Sequence, residues 1–277
     1  MTTSSQQTAA TKELMDQAQK CRAVFFDADG TLLSFKTHRV LPSTLEAIKA
    51  LHDKGILCIL ATGRPLYGFD ENLDLDLFDA YVAFNGSLCI DHLGTTLIEN
   101  PMDPDDVAAC VSQVEQGLYT CLFMENDRFY VSDRAEQVVQ LERLLHASFD
   151  DDPVQRALVH PVYQLNAFLE PGKEHLLMDG LNHAKYYRWH DSFIDVVPAD
   201  AGKGTGVVRL LDVLGIPPSR AMAFGDGGND VDMFQSVGVP VAMGNASDAV
   251  KAQAAYVTAS CDDDGIYKAL KALGVIL

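Results

Sequence analysis

Short apolar runs that end at a polar residue restrict the fold of this 277-residue chain more than any other feature of its sequence. Uninterrupted apolar runs of this length are typical of strands buried on both faces of a parallel sheet. Between the first two runs, a helical pattern begins at Pro42 and ends at Gly55. A strand, a helix and a strand within about 40 residues form a βαβ unit, in which the two strands are parallel. The three runs and the residues that close them are 23–26 with Asp27, 56–61 with Thr62, and 221–225 with Asp226.

The middle of the chain interrupts this pattern. From about residue 101 to residue 193 the spacing is irregular, with helical segments and separate hairpin-like strands, and the first pattern returns after Val197. Helices segregated from hairpins favour an α+β module inserted into an α/β domain. We therefore predict an α/β fold with a Rossmann-like parallel sheet as its core and an inserted α+β domain. The predicted boundaries are 1–20 for a flexible N-terminal extension, 21–87 and 194–277 for the core, and 88–193 for the insertion.

The composition excludes several classes of protein. With 48% apolar and 22% charged residues, the chain can bury a sizeable core. Its formal net charge of −18, without any cluster of Lys or Arg, argues against nucleic acid as a partner. No stretch approaches the ~18 apolar residues of a membrane helix, and residues 1–20 lack the apolar core of a signal peptide. The six cysteines show no metal-binding spacing, so we expect buried free thiols and a cytoplasmic protein.

One edge of the predicted sheet would collect the residues that close the apolar runs, because ligands bind at the carboxyl ends of parallel strands. Asp27, Thr62 and Asp226 would supply two carboxylates and a hydroxyl there, and Lys203 begins a predicted helix that would add an ammonium group. Carboxylates bind Mg²⁺ through oxygen, and hydroxyl and ammonium groups hold phosphoryl oxygens. These are the groups that metal-dependent phosphoryl transfer requires.

Two aspartates close the first run, and Gly30 after them allows the chain to turn so that both address one ligand. If Asp27 attacks phosphorus, the product is an aspartyl phosphate, and Asp29 can protonate the leaving oxygen and then deprotonate water. Mg²⁺ would offset the repulsion among these carboxylates and the phosphate. Each motif alone also has a structural explanation: a strand-closing turn for the aspartates, a common sheet exit at 62–64, and a solvated side chain for Lys203.

Six motifs, in order along the chain, resemble those of the haloacid-dehalogenase superfamily, and specifically its Cof-type phosphatases with a C2B cap. They cover nearly the whole α/β portion of the sequence. The resemblance implies that the core has the fold of this superfamily and that residues 88–193 form a cap that selects the substrate. Ala28 departs from the Leu or Met that is usual in the family, which removes apolar bulk but no reactive group. The motifs are FFDADGTLL (25–33), LATGRP (60–65), FNGS (84–87), KGTGV (203–207), FGDGGNDVDMF (224–234) and MGNAS (243–247).

The resemblance also implies a role for each matching position. Asp27 would be the nucleophile and Asp29 the general acid/base, and Lys203 would bind the phosphoryl group and neutralise charge on Asp27. Mg²⁺ would be held by Asp27, Asp226 and the backbone carbonyl of Asp29. Asp230 would lie next to the metal, either as a ligand or behind the ligands. The residues implied to bind phosphate or substrate are Thr62, Gly63, Arg64, Asn85, Gly86 and Asn229.

The implied enzyme is a Mg²⁺-dependent phosphomonoester hydrolase that acts on a small soluble metabolite, either a sugar phosphate or a phosphorylated cofactor precursor. Asp29, in place of the Thr of ion-pumping ATPases, argues for rapid breakdown of the phosphoenzyme. We expect a monomer, because a cap of this size closes a site without a second subunit. A phosphomutase and a non-catalytic phosphate-binding protein are the alternatives; dinucleotide binding is excluded because no GxGxxG follows the first strand. The polar cap residues that could contact substrate are Glu125, Asn126, Arg128, Arg134, His160, Gln164, Arg188 and His190.

Overall fold

The chain folds into two compact units in a computed structural model that describes residues 12–69, 72–145 and 148–277. The first unit combines the described residues up to Ile98 with Gly202–Leu277, and the second unit is Glu99–Ala201. The chain therefore leaves the first unit and returns to it, as expected for an inserted module.

A mixed eight-stranded sheet forms the centre of the first unit, in the order β14-β13-β12-β1-β2-β3-β4-β5. The strands from β14 to β3 pair in parallel, and β4 runs antiparallel to β3. Numbered along the chain, these strands are β1 (Ala23–Phe26), β2 (Leu57–Ala61), β3 (Ala80–Ala83), β4 (Leu88–Asp91), β5 (Thr96–Glu99), β12 (Ala221–Gly225), β13 (Val239–Ala242) and β14 (Tyr256–Val257). The helices of this unit are α1 (residues 12–18), α2 (Pro42–His52), α6 (Lys203–Val213), α7 (Val231–Phe234), α8 (Asp248–Lys251) and α9 (Gly265–Ala272).

Strand β1 shows why the first apolar run has no polar residue. Val24 and Phe26 belong to a core cluster on one face of the sheet, together with residues of α2 and α9. Ala23 and Phe25 belong to a second cluster, together with Val207 and its neighbours on α6. Because successive side chains of a strand point to opposite faces, burial on both faces requires every position to be apolar. The predicted α/β fold with a parallel sheet core is confirmed.

The second unit contains a six-stranded sheet in the order β10-β11-β9-β6-β7-β8. Leu165 and Ala167 of its central strand β9 belong to the core cluster of this unit, together with Val107 and Val111 of helix α3. The strands are β6 (Thr120–Met124), β7 (Phe129–Val131), β8 (Asp150–Asp151), β9 (Gln164–Phe168), β10 (Ala184–His190) and β11 (Phe193–Pro198). The helices are α3 (Pro104–Glu115), α4 (Glu136–Leu145) and α5 (His175–Met178).

The observed boundaries between the units differ from the predicted ones at 87/88 and 193/194. The β4–β5 hairpin belongs to the first unit, because β4 pairs with β3 from Ala80↔Asp91 to Ala83↔Leu88. Strand β11 belongs to the second unit, because it pairs with β9 and β10. The sequence marks where strands begin and end, but not which sheet accepts a strand near a junction.

The predicted flexible extension at 1–20 does not describe the last residues of that range. Residues 12–18 form α1, Ala18 is fully buried, and Leu14 and Met15 pack against the core cluster beside α2 and α9. These three apolar residues lie on one side of a helix, and the polar residues between them hide that pattern. Residues 1–11 lie outside the described residues.

All six cysteines are free and buried, as the sequence led us to expect. Burial raises the pKa of Cys21 and of Cys89 to about 12, so these thiols stay protonated and unreactive near neutral pH. Within the described ranges, no helix combines the length and the apolar character that a membrane crossing requires.

Candidate active site

Three adjacent strands, in the order β12-β1-β2, bring the residues that close the apolar runs to one edge of the first unit's sheet. Asp27 follows β1, and its N–H donates to the carbonyl of Phe224 at 3.0 Å. Thr62 follows β2, and its N–H donates to the carbonyl of Val82 at 2.8 Å. The side chains of Asp27 and Thr62 are buried, with 6% and 1% of the residue exposed. The ladder bonds of neighbouring strands thus fix the backbone of both residues.

Lys203, the first residue of α6, lies in the middle of this edge and is buried. Its Nζ donates to Oδ1 of Asp27 in a short hydrogen bond and to Oδ1 of Asp230 at 2.7 Å. Helix α6 holds Lys203 in place by burying Val207, Leu210 and the residues around them against the sheet. One ammonium group therefore joins carboxylates that lie far apart in the sequence.

Asp230 is fully buried and has both oxygens engaged. Oδ1 accepts the bond from Lys203, and Oδ2 accepts from the backbone N–H groups of Asp226 at 3.0 Å and Gly227 at 2.8 Å. A Cβ on Gly225 would lie 2.6 Å from the Asp230 side chain, so only glycine fits there. Asp230 therefore fixes the loop that carries Asp226, and its side chain explains the glycine at 225.

The cluster of Asp27, Asp226, Asp230 and Lys203 has three carboxylates and one ammonium group. Burial raises the pKa of Asp226 to about 6, and the Asp230 carboxylate adds to this. Burial also raises the pKa of Asp27, as does Asp230, while Lys203 acts in the opposite direction. Burial alone would lower the pKa of Lys203, but Asp230 and Asp27 outweigh it and raise that pKa. The cluster thus has more negative charge than its ammonium group neutralises.

This donor set fits a divalent cation. One carboxylate oxygen from each of Asp27, Asp226 and Asp230 lies within 4.8 Å of the others. Carboxylate and carbonyl oxygens are the ligands that Mg²⁺ and Ca²⁺ take in proteins. A cation bound here would also offset the negative charge of the three carboxylates that Lys203 does not neutralise.

Asp29 lies outside this cluster and pairs with Arg64. The guanidinium group donates from Nε to Oδ2 of Asp29 at 2.7 Å and from Nη2 to Oδ1, which is a two-bond, fork-like contact. Arg64 also lies over the ring of Phe69 at 5.4 Å, and its backbone N–H donates to Oγ1 of Thr62 at 3.0 Å. Arg64, which the resemblance implied to bind phosphate or substrate, therefore orients the carboxylate of Asp29.

The turn after β3 holds Asn85 and Gly86 next to the phosphate-binding candidates. Phe84, Asn85 and Gly86 have φ values of 50°, 51° and 88°, and a left-handed Phe is a strained conformation. The amide group of Asn85 lies against Gly63, at 3.0 Å from where a Cβ would be, and a Cβ on Gly86 would lie 2.1 Å from the carbonyl oxygen of Gly202. The glycines permit backbone segments to approach each other closely.

Asn229 is placed differently from the other predicted site residues. It is exposed, and its Oδ1 lies 2.6 Å from where a Cβ on Gly227 would be. Among the contacts of the described residues, none joins Asn229 to the cluster of Asp27, Asp226, Asp230 and Lys203. The other predicted residues lie in the cluster or beside it.

Asn245 is a contact of the site that the sequence did not assign. Its Nδ2 donates to Oδ2 of Asp226 at 2.9 Å and to the carbonyl oxygen of Gly30 at 2.8 Å. The motif MGNAS at 243–247 contains this residue, but a motif without a charged group gives no indication of its partner. The hydroxyl of Thr31 is a second, weaker donor to Asp226, at 3.5 Å.

Several candidate substrate contacts in the second unit form ion pairs inside that unit. Glu125 is buried and accepts two bonds from Arg156. Arg134 bridges Asp151 and Glu142. The remaining pairs are Arg128 with Asp152 and Arg188 with Glu174. The charges of these side chains are therefore already partly neutralised within the second unit.

The fold and the site are those of a hydrolase. The chain belongs to the haloacid dehalogenase-like hydrolase family, whose sequence profile matches residues 24–270. The predicted assignment to the Cof-type members of this superfamily is confirmed. Several of the similar proteins are phosphatases by name, and the chain is accordingly a phosphoric monoester hydrolase of this family.

Three similar proteins illustrate the assignment. The solved structure of the subclass IIB sugar phosphatase BT4131 has a TM-score of 0.81 and 35% identity, and the match covers 92% of this chain and 100% of that one. The 5-amino-6-(5-phospho-D-ribitylamino)uracil phosphatase YwtE of Bacillus subtilis is 30% identical over 89% of this chain and 95% of its own length. A Streptococcus pyogenes protein, provisionally named as a bifunctional phosphatase/peptidyl-prolyl cis-trans isomerase, is 31% identical over 95% of this chain. The chain spans 56% of the length of that last relative.

Replacing Lys203 with Met tests the charge balance of the cluster. Removing the ammonium leaves Asp27 and Asp230 buried without it, so we expect a loss of about 3 kcal/mol in the free energy of unfolding near neutral pH. A carboxyl group whose pKa is raised on folding stabilises the folded state at pH values where it is protonated. This stabilisation is lost as the pH rises. Urea unfolding at about pH 5 and about pH 8 should therefore show the larger loss at the higher pH.

The matched control is Lys36→Met, which removes an ammonium from an exposed ion pair with Asp262. It should change the free energy of unfolding only slightly at either pH, because exposed pairs contribute little. Equal losses for the two variants would contradict the account of the buried cluster.

Proposed function

We propose that this protein is a Mg²⁺-dependent phosphomonoester hydrolase that acts through an aspartyl-phosphate intermediate. Its substrate would be a small soluble metabolite, either a sugar phosphate or a phosphorylated cofactor precursor. The observation that supports this most directly is the buried Asp27, held by Lys203 at the carboxyl end of β1 and followed two residues later by Asp29. The names of the relatives, which include a sugar phosphatase and a phosphatase of a ribitylaminouracil phosphate, support the substrate class.

Asp27 would attack the phosphorus of the bound ester. A carboxylate oxygen of Asp27 forms a bond to phosphorus, and the bond between phosphorus and the ester oxygen breaks. Lys203 orients that carboxylate and reduces the repulsion between it and the incoming phosphate dianion, since its Nζ bonds directly to Oδ1 of Asp27. The fixed position of Asp27 reduces the entropy cost of this step.

Asp29 would transfer the protons of both half-reactions. It gives a proton to the leaving oxygen of the alcohol, and it then accepts a proton from the water that attacks the phosphoenzyme. That second attack breaks the bond between Asp27 and phosphorus and releases orthophosphate. Arg64 holds both oxygens of Asp29 and so sets the direction from which Asp29 approaches the substrate.

Asp27, Asp226 and the backbone carbonyl of Asp29 would hold the Mg²⁺ ion. Asp230 would lie behind these ligands, since two backbone N–H groups fill its Oδ2 and the positive charge of Lys203 lies on its Oδ1. The ion, when bound, supplies positive charge that stabilises the phosphoryl oxygens in the transition state.

The phosphate would be bound by groups around Asp27. Thr62 would supply a buried hydroxyl and Gly63 a backbone N–H group, while the N–H of Arg64 already donates to Oγ1 of Thr62. Asn85 and Gly86 would line the same site, because their turn packs against Gly63 and Gly202. Asn229, which is exposed, would contact the substrate rather than the cluster.

The second unit, Glu99–Ala201, would select the substrate, in the role that the sequence assigned to residues 88–193. The free, buried cysteines of the chain support the proposal of a cytoplasmic enzyme, since reducing compartments maintain thiols. The monomeric state stays a prediction.

Replacing Asp27 with Asn tests the proposed function. The amide is a far weaker nucleophile, so hydrolysis of p-nitrophenyl phosphate and of a panel of sugar phosphates should fall by at least about a thousandfold. The measurement is phosphate release with Mg²⁺ and with a chelator, and wild-type activity should require the metal. The charge-removing control Asp212→Asn, on the C-terminal part of α6, should leave the rate unchanged.

Activity that survives in Asp27→Asn, or wild-type activity that is indifferent to metal removal, would contradict the proposal. Formation of an isomeric sugar phosphate without release of orthophosphate would identify a phosphomutase instead. Binding of phosphate esters without any turnover would identify a phosphate-binding protein.

Replacing Arg64 with Ala tests whether this residue orients the acid/base. A sugar alkoxide needs protonation to leave, whereas p-nitrophenolate leaves readily without it. We therefore expect kcat/KM to fall by at least about tenfold for a sugar phosphate and by much less for p-nitrophenyl phosphate. Asp29→Ala should show the same contrast between the two substrates, but larger.

The control for Arg64→Ala is Arg39→Ala, which removes an exposed cation from the loop that follows β1. It should lower neither rate. If Arg64→Ala lowers both rates equally, Arg64 binds the phosphate or maintains the fold, and the assigned role is wrong.

A further inference from the structure

Asn245 has a set of hydrogen bonds that the proposed reaction does not explain. It follows β13, which is the neighbour of β12 in the sheet, and so it lies beside the strand end that carries Asp226. The residue is exposed, yet its amide makes three hydrogen bonds to three separate segments of the first unit. An exposed Asn that serves only for solubility has no reason to be held in this way.

The backbone fixes which way the amide of Asn245 points. Its Oδ1 accepts from the backbone N–H of Cys261 at 3.0 Å, a group that can only donate. The NH₂ group must therefore face the carbonyl of Gly30 and the carboxylate of Asp226, which can only accept while it is ionised. Both donors and the acceptor of the amide are used, so the side chain has one orientation.

The loop that carries Asn245 is itself held tightly. The N–H of Gly244 donates to the carbonyl of Ala259 at 2.9 Å, and a Cβ on Gly244 would lie 2.6 Å from the backbone nitrogen of Ser260. The N–H of Met243 donates to the carbonyl of Gly225 at 2.9 Å. These bonds leave Asn245 little freedom to move relative to Asp226.

The contact with Asn245 leaves Asp226 able to bind a cation. Each oxygen of Asp226 accepts one side-chain bond, Oδ1 from Thr31 and Oδ2 from Asn245. A carboxylate oxygen has two lone pairs, so one donor on each oxygen orients the group and still leaves room for a ligand bond. A neutral donor does this without adding the positive charge that would repel a metal ion. Hydrogen-bond partners of this kind orient metal-binding carboxylates in other proteins.

The hydrogen bond from Asn245 to the carbonyl of Gly30 also fixes the position of the FFDADGTLL motif (25–33). Gly30 lies directly after Asp29, whose backbone carbonyl is a proposed ligand, and it adopts a φ of 81° that favours glycine. A Cβ at Gly30 would lie 2.3 Å from Oδ2 of Asp226, so the two segments are in close contact. Asn245 bonds to both and holds them at a set separation.

We propose that Asn245 is a positioning residue for the metal site, which aligns the Asp226 carboxylate with the turn after Asp27 so that both can bind one divalent cation. The proposal rests on the proposed function, because it concerns the same site. Asn245 itself touches neither the metal nor the substrate in this account.

The experiment measures Mg²⁺ binding directly, by isothermal titration of Asn245→Ala with Mg²⁺ alone. Loss of a residue that orients a metal ligand typically weakens metal affinity by about 10- to 100-fold, and we expect a loss in that range. The Mg²⁺ concentration that gives half-maximal hydrolysis of p-nitrophenyl phosphate should rise in parallel. The increase in Tm that Mg²⁺ produces in the wild-type protein should shrink at the same Mg²⁺ concentration.

The matched control is Ser43→Ala. Asn245 holds residues 258–264 through the N–H of Cys261. The hydroxyl of Ser43 holds the same segment by donating to Oδ1 of Asp264 at 2.6 Å, so this variant loosens the segment without touching Asp226. It should lower Tm slightly and leave the Mg²⁺ dissociation constant unchanged. If Asn245→Ala does not fold, Asn245→Ser removes the same amide with less change in polarity and takes its place in each measurement.

Each result has a definite meaning. An unchanged Mg²⁺ dissociation constant in a folded Asn245 variant, even with a lower Tm, would show that Asn245 only holds the 258–264 segment and would overturn the inference. An equal loss of affinity in Ser43→Ala would also overturn it. If the wild-type protein neither binds Mg²⁺ nor hydrolyses phosphate esters, the proposed function fails as well. The wild-type measurement therefore distinguishes failure of the proposed function from failure of the inference about Asn245.

Discussion

The site depends on the hydrogen bonds that the ammonium group of Lys203 donates to two carboxylates. The ammonium group is buried, and it bonds to Asp27 and Asp230 at once. Without it, two carboxylates would lie close together away from water, which is a costly arrangement. Through Asp230 the same contact fixes the loop of Asp226, so one side chain holds segments from both halves of the first unit in register.

The cluster around Lys203 is nevertheless incomplete in charge. Three carboxylates and one ammonium leave a surplus of negative charge, and the carboxylate of Asp230 adds to the effect of burial in raising the pKa values of Asp27 and Asp226. A catalytic site can use such an imbalance, because a divalent cation and a phosphate bring charges that complete it. Asn245 orients the Asp226 carboxylate of the cluster without adding charge, and Arg64 orients Asp29 outside the cluster.

The central part of the fold could be predicted because its cause is local. A strand buried on both faces must be wholly apolar, so the runs that end at Asp27 and Asp226 identify parallel strands and the edge where these residues meet. The hydrogen-bond partners could not be predicted in this way. Neither the bond from Arg64 to Asp29 nor that from Asn245 to Asp226 follows from spacing, because each joins segments that only the tertiary fold brings together.

The boundaries between the units show a different limit. The apolar pattern of β11 is the same whether it joins the first sheet or the second, and pairing with β9 decides it. Likewise, the three apolar residues of α1 are too few to distinguish a packed helix from a solvated one, and their contact with the core decides that. In both cases the information lies in the partner surface and not in the segment.

The most direct measurement of the central claim is to locate the phosphoryl group on the enzyme. Asp29→Asn should form the phosphoenzyme from p-nitrophenyl phosphate, whose leaving group needs no acid, and break it down slowly, because the base that activates water is absent. Acid quenching during turnover, reduction of the acyl phosphate with borohydride and peptide mass spectrometry would then identify the modified residue. The account predicts modification at Asp27 and at no other carboxylate. Turnover with the phosphoryl group on a different residue, or with none trapped on Asp27, would contradict it.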